Sequence, residues 1–74
     1  MFSVKVIWKR TGKPAKGMKV SAAFDGLARG VTSDQFTDKD GNADFDYDPG
    51  QGTIFVIGKT AFKGLIEGRV VVYV

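Results

Sequence analysis

Hydrophobic and polar residues alternate through much of this chain with a period of two. That spacing sends successive side chains to opposite faces of a strand. Phe2, Val4, Val6 and Trp8 fall on one face and Ser3, Lys5, Ile7 and Lys9 on the other, which predicts a first strand. Met18, Val20, Ala22 and Phe24 alternate with Lys19, Ser21, Ala23 and Asp25 and predict a second. Ala43, Phe45 and Tyr47 alternate with Asp44, Asp46 and Asp48, placing three carboxylates opposite an apolar set. Residues 53–57 are apolar on both faces, which suits a central strand covered from both sides. Residues 61–66 read as a weaker strand interrupted by Gly64, and residues 69–74 as a strongly β-prone run. No segment carries a capped 3.6-residue period, so no helix longer than about one turn is expected.

Turn chemistry separates these runs. The stretch 36–45 organises the rest: Asp38-Lys39-Asp40-Gly41 suits a type I turn, with Asp capping the first position and Gly accepting positive φ at the fourth. Such a turn is the usual build of a three-residue hairpin with a glycine bulge. Residues 10–17 carry Gly12, Pro14 and Gly17 and read as a loop, and Asp25-Gly26 breaks the second strand. Within 27–35, Arg29-Gly30 and Ser33-Asp34 read as turns around a short edge strand. Residues 48–52 hold one Pro and two Gly and form a strong stop, while Gly58-Lys59-Thr60 and Glu67-Gly68 turn again. Six or seven short strands at regular spacing predict an all-β sandwich or small barrel, with residues 1–74 as one domain. The expected core is Val4, Val6, Trp8, Val20, Ala22, Phe24, Phe45, Tyr47, Phe55 and Ile57.

Three stretches together carry a family resemblance: Gly12-Lys13-Pro14-Ala15-Lys16-Gly17-Met18-Lys19-Val20, Thr37-Asp38-Lys39-Asp40-Gly41-Asn42-Ala43-Asp44-Phe45, and Pro49-Gly50-Gln51-Gly52-Thr53. The chain resembles the carboxypeptidase regulatory-like domain of the transthyretin-like (prealbumin-like) β-sandwich group. The resemblance implies a small Greek-key sandwich of seven strands that serves as an accessory, stabilising or interaction module. One departure is that Gln51 is inserted after Pro49-Gly50 and Phe55 supplies the aromatic. The hydroxyisourate hydrolases of the wider group depend on His residues, and this chain has none.

Composition narrows the chemistry. The chain has 74 residues, a formal charge of +3, no Cys and no His. A domain this small buries only about 60% of its unfolded surface, and with no disulfide available the core must come from packing of bulky side chains. Absence of His and Cys removes the commonest general base, the commonest metal ligand and the thiol nucleophile, which argues against an enzyme. No cofactor-binding pattern is present: Gly58-Lys59-Thr60 has the ending of a phosphate loop but neither the upstream Gly nor a following helix. Asp38, Asp40, Asn42 and Asp44 are spaced like alternate calcium ligands. The sixth and twelfth positions of an EF-hand loop counted from Asp38 are, however, Ala43 and Pro49, so at most a weak calcium site on Asp38, Asp40 and Asp44 is expected. No segment approaches the roughly 20 apolar residues that span a bilayer.

Charge is segregated along the chain. Lys5, Lys9, Arg10, Lys13, Lys16 and Lys19 precede the first acid, and seven of the eight acids lie between Asp25 and Asp48. A nucleic-acid surface on the basic first third is the alternative function, disfavoured because the alternation hides Trp8 in the core. The leading reading is a non-enzymatic module for protein interaction or structural stabilisation. Its expected partner edge is Arg69, Val71 and Tyr73, because residues 69–74 carry one charge in six and leave an apolar set on whichever face is not packed. Such a strand is either central and covered, or an edge that pairs with a protein partner or a second copy.

Overall fold

The alternating segments become seven strands in a computed structural model that describes residues 1–26 and 30–74. They are β1 (Phe2–Ile7), β2 (Lys19–Phe24), β3 (Gln35–Phe36), β4 (Asn42–Phe45), β5 (Gly50–Val56), β6 (Lys59–Ile66) and β7 (Gly68–Tyr73). They form two sheets, ordered β4-β1-β7 and β3-β2-β5-β6, and no helix is present among the described residues. The chain is therefore all-β, in a form compatible with a small sandwich. β1 pairs antiparallel with β4 and parallel with β7. β2 lies between β3 and β5, and β5 pairs with β6, all antiparallel. Glu67 alone carries the chain from β6 in one sheet to β7 in the other.

The core sits between the sheets and follows the period-two phase. Phe2, Val4 and Val6 of β1 pack with Val70 and Val72 of β7 on one side, and with Val20, Ala22, Ile54, Val56 and Ile66 from the facing sheet. Phe2 stacks on Phe45 with centroids 4.8 Å apart and meets Phe24 edge-on at 5.8 Å. Such pairs add about 0.5–1.5 kcal/mol beyond the area they bury.

Four of the expected core residues lie elsewhere. Trp8 keeps the inward phase of β1, but the strand ends at Ile7 and the chain turns, with the Trp8 carbonyl accepting the Gly12 N–H at 2.7 Å. The indole thus passes the end of the facing sheet and is 42% exposed. Tyr47 likewise runs past the end of β4; its ring lies over Phe24, and its Oη accepts the Ser33 N–H at 3.4 Å. In β5 the phase is opposite to the one expected: Ile54 and Val56 point inward, and Phe55 is half-buried on the outer face. Ile57 is not in the strand; it and Gly58 form the two-residue turn to β6, with φ of 48° and 75°.

The organising turn forms as its sequence predicts. The Gly41 N–H donates to the Asp38 carbonyl and the Asp38 N–H to the Asn42 carbonyl, both at 2.9 Å, with Gly41 at φ 79°. Its strands then diverge, β3 into one sheet and β4 into the other, so the turn joins the sheets instead of closing an extended hairpin. Two buried threonines tie the loops down. Thr37 Oγ1 accepts the Met18 N–H at 2.8 Å and donates to the Ala15 carbonyl at 2.6 Å, and Thr32 Oγ1 accepts the Ala22 N–H at 3.0 Å. Of the expected features in 27–35, Val31 forms a single bridge to Ala23, while residues 27–29 lie outside the described residues.

Candidate interaction edge

The direction of the β7 backbone defines the site. The Val74 N–H donates to the Ile7 carbonyl at 2.9 Å and the Val74 carbonyl accepts the Lys9 N–H at 2.8 Å, so Val74 turns its backbone groups toward β1. Along a strand both the lateral direction of the backbone groups and the face of the side chain reverse at each residue. Val70 and Val72 therefore also face β1 and the core. Arg69, Val71 and Tyr73 direct their N–H and C=O groups away from β1 and their side chains away from the core. Among the described residues no strand pairs with that side of β7. Val71 is 42% and Tyr73 56% exposed, and Arg69 is exposed as well. The structure thus gathers the three expected site residues on one open edge.

The other three sheet edges carry features that discourage pairing. β3 is two residues long. β4 has four residues, and the turn already occupies Asn42, whose N–H donates to Asp38 Oδ1 while its carbonyl accepts the Asp38 N–H. β6 carries Lys59 and Lys63, and its register against β5 shifts between Ile54 and Phe55. β7 is six residues long, regular in register, and has Arg69 as its one charge.

Beside the far end of β7 lies an apolar cleft of about 440 Å³ that the sequence did not reveal. Trp8, Met18, Val56, Ile57, Ala61, Tyr73 and Val74 line it together with Lys59 and Thr60. It opens because β6 and β7 meet at Glu67 and run apart from there. Ile57 holds a left-handed backbone conformation at the cleft, which costs a β-branched residue about 1–2 kcal/mol. Asn-Gly is the usual occupant of such a turn. Backbone strain of this kind concentrates at functional sites.

The charged candidates are arranged differently. Asp38 Oδ1 accepts the N–H groups of Asp40 at 2.9 Å and Asn42 at 3.0 Å. The Asn42 N–H is the main cause holding this carboxyl below the ordinary aspartate value; Asp40 N–H and the charges of Lys39 and Lys5 act the same way, and desolvation opposes them. Among the described residues no three acids converge into a group that would hold a metal ion. Lys9, Arg10 and Lys13 are exposed around Trp8, in a loop closed by the Trp8 N–H donating to the Lys13 carbonyl at 2.8 Å. The aromatic in the basic third is thus open to solvent, contrary to the expectation that it is hidden. Comparison with family models, curated proteins and solved structures finds no match for this chain. No helix among the described residues is long and apolar enough to cross a membrane.

Proposed function

We propose that this chain is a non-enzymatic β-sandwich module for protein interaction or structural stabilisation, working through the β7 edge at Arg69, Val71 and Tyr73. The observation that carries this reading is the coincidence, on one strand, of free backbone groups, outward apolar side chains and a single charge, Arg69, with a regular register. An added strand would satisfy the unpaired groups and cover Val71 and Tyr73 together. The turn motifs around Pro14, Asp38–Gly41 and Pro49-Gly50, with two packed sheets, support kinship with the carboxypeptidase regulatory-like sandwiches and their Greek-key, transthyretin-like arrangement. Accessory and stabilising roles are what that kinship would bring.

The test is capture under native conditions with the parent, with Val71→Lys, and with Asp44→Lys on the opposite edge strand as control. Proteins held by the parent and by Asp44→Lys should be lost with Val71→Lys. Equal retention by all three contradicts the reading.

The exposed Trp8 among Lys9, Arg10 and Lys13 favours one second reading, a nucleic-acid surface on the basic first third. Phosphate contacts would make binding fall steeply with salt, and base stacking would quench Trp8 fluorescence. Titration with a single-stranded oligonucleotide that leaves the fluorescence unchanged at low salt sets this reading aside.

A further inference from the structure

We propose that the strand that covers the β7 edge is β7 of a second copy of this chain, paired antiparallel about a two-fold axis through Val71. The inference rests on the reading of β7 as the working edge and names its occupant.

An antiparallel pair related by a two-fold axis brings a strand against itself, so its edge must be self-complementary. The residues whose backbone groups face the free side are Arg69, Val71 and Tyr73, evenly spaced about Val71. With Val71 opposite its own mate, those two residues exchange both backbone hydrogen bonds. Arg69 of each copy then lies opposite Tyr73 of the other. Directly opposed side chains on one face of a sheet touch, and a guanidinium over a tyrosine ring is a favourable pair. Shifting the register by two residues sets Arg69 opposite Val71 and Tyr73 opposite Glu67, or Val71 opposite Tyr73, and in neither case does Arg69 meet the ring of Tyr73. The Val71-centred register pairs residues 69–73 of each copy, five of the six residues of β7. Two three-stranded sheets become one six-stranded sheet, ordered β4-β1-β7-β7-β1-β4. Ile7, which sits beside Tyr73 on the outward face of β1, extends the apolar strip on both sides of the axis. A head-to-tail alternative, β7 against β4 of another copy, fails because the turn already occupies the Asn42 backbone groups.

One added strand buries less than the roughly 1,200 Å² of a standard interface. The dimer is therefore weak and visible only with concentration. Each copy carries +3, so salt strengthens the pairing by screening. Nucleic-acid binding would respond to salt in the opposite sense.

The experiment combines sedimentation of the parent with cysteine linking. The chain has no native Cys, so each introduced thiol is the sole one. Mates in a hydrogen-bonded antiparallel pair stand about 5.5 Å apart at Cα, within the range a disulfide spans. Val71→Cys should oxidise to a linked dimer. Tyr73→Cys alone should stay unlinked, because the two copies of residue 73 would be separated by about four residues of strand, roughly 13 Å. A mixture of Arg69→Cys and Tyr73→Cys should link between the two proteins. The parent should sediment as a reversible dimer at high micromolar concentration, and Val71→Lys should raise the dissociation constant at least about tenfold.

A parent that stays monomeric overturns the proposal. So does linking that is equal at positions 71 and 73, or absent at 71 in protein shown to be folded. A monomeric parent that still captures another protein in a Val71→Lys-sensitive way would retain β7 as the working edge while rejecting self-pairing. A dimer indifferent to Val71→Lys, with capture equally indifferent, would reject both.

Discussion

Replacing Thr37 with valine removes a hydroxyl and keeps the shape, which isolates the hydrogen bonds of one buried group. Thr37 is 4% exposed. Its Oγ1 accepts the Met18 N–H at 2.8 Å and donates to the Ala15 carbonyl at 2.6 Å, joining the entry to β2 and the loop after β1 to the turn before β4. In Thr37→Val both backbone groups lose this partner, and a methyl stands where water would have to enter. A buried group left unsatisfied costs about 1–3 kcal/mol, so the pair together should cost about 2–6 kcal/mol. In a domain of this size each kcal/mol moves Tm by about 4–8 °C, which gives a fall of at least about 8 °C. Thr37→Ser retains the hydroxyl and loses one methyl, worth about 0.8 kcal/mol, so it should melt only a few degrees below the parent. Thermal unfolding followed by circular dichroism measures both variants. A Thr37→Val protein that melts within about 4 °C of the parent, or a serine variant as damaged as the valine one, would refute the reasoning.

Other perturbations probe the turns. Gly41→Ala should cost more than the ~1 kcal/mol of its positive φ alone, because the added Cβ would stand 2.6 Å from the Val6 carbonyl oxygen. Gly12→Ala is the comparison, with φ +75° and no atom within 4 Å; equal melting of the two variants would show that the close approach is absent. Ile57→Asn should stabilise by about 1 kcal/mol, raising Tm by about 4–8 °C, since Asn accepts the left-handed conformation at lower cost; a lowered Tm counts against the strained turn. The Asp38 carboxyl, lowered chiefly by the Asn42 N–H, contributes stability above its unfolded pKa that is lost as pH falls through its folded pKa. A carbon-detected titration should place its midpoint below the ordinary aspartate value, and a midpoint at or above that value contradicts the turn geometry.

Alternation was legible wherever a strand runs the full length of its facing layer. Val4, Val6, Val20, Ala22, Phe24 and Phe45 are all buried on that account. It misled at strand ends, where Trp8 and Tyr47 keep the inward parity but overrun the opposite sheet. Across residues 53–57 the expected phase, with Phe55 and Ile57 inward, is the wrong one, because both faces are apolar and alternation alone does not choose between them. The phase there is set by pairing Val20 with Val56 and Ala22 with Ile54, contacts far apart in sequence. The Asp38–Gly41 turn was readable because its hydrogen bonds are local. That its flanking strands part into different sheets was not, since this depends on β1 and β2. That Arg69, Val71 and Tyr73 share one face was legible, but which face packs inward, and their standing at an open edge, follow from the parallel pairing of β7 with β1. Nothing in the sequence singles out Thr37 and Thr32, because a hydroxyl's distant backbone partner leaves no mark there. The cleft arises where β6 and β7 diverge and has no sequence pattern of its own.

Amide hydrogen exchange along β7, read residue by residue as the protein is concentrated, tests the working edge most directly. In dilute protein the N–H groups of Val70 and Val72, which face β1, should be protected, while those of Val71 and Tyr73 exchange freely. On concentration to the high micromolar range, Val71 and Tyr73 should gain protection and the edges at β3, β4 and β6 should not. Protection of Val71 and Tyr73 equal to that of Val72 in dilute monomer, or a gain that appears at another edge and not at β7, would contradict the account.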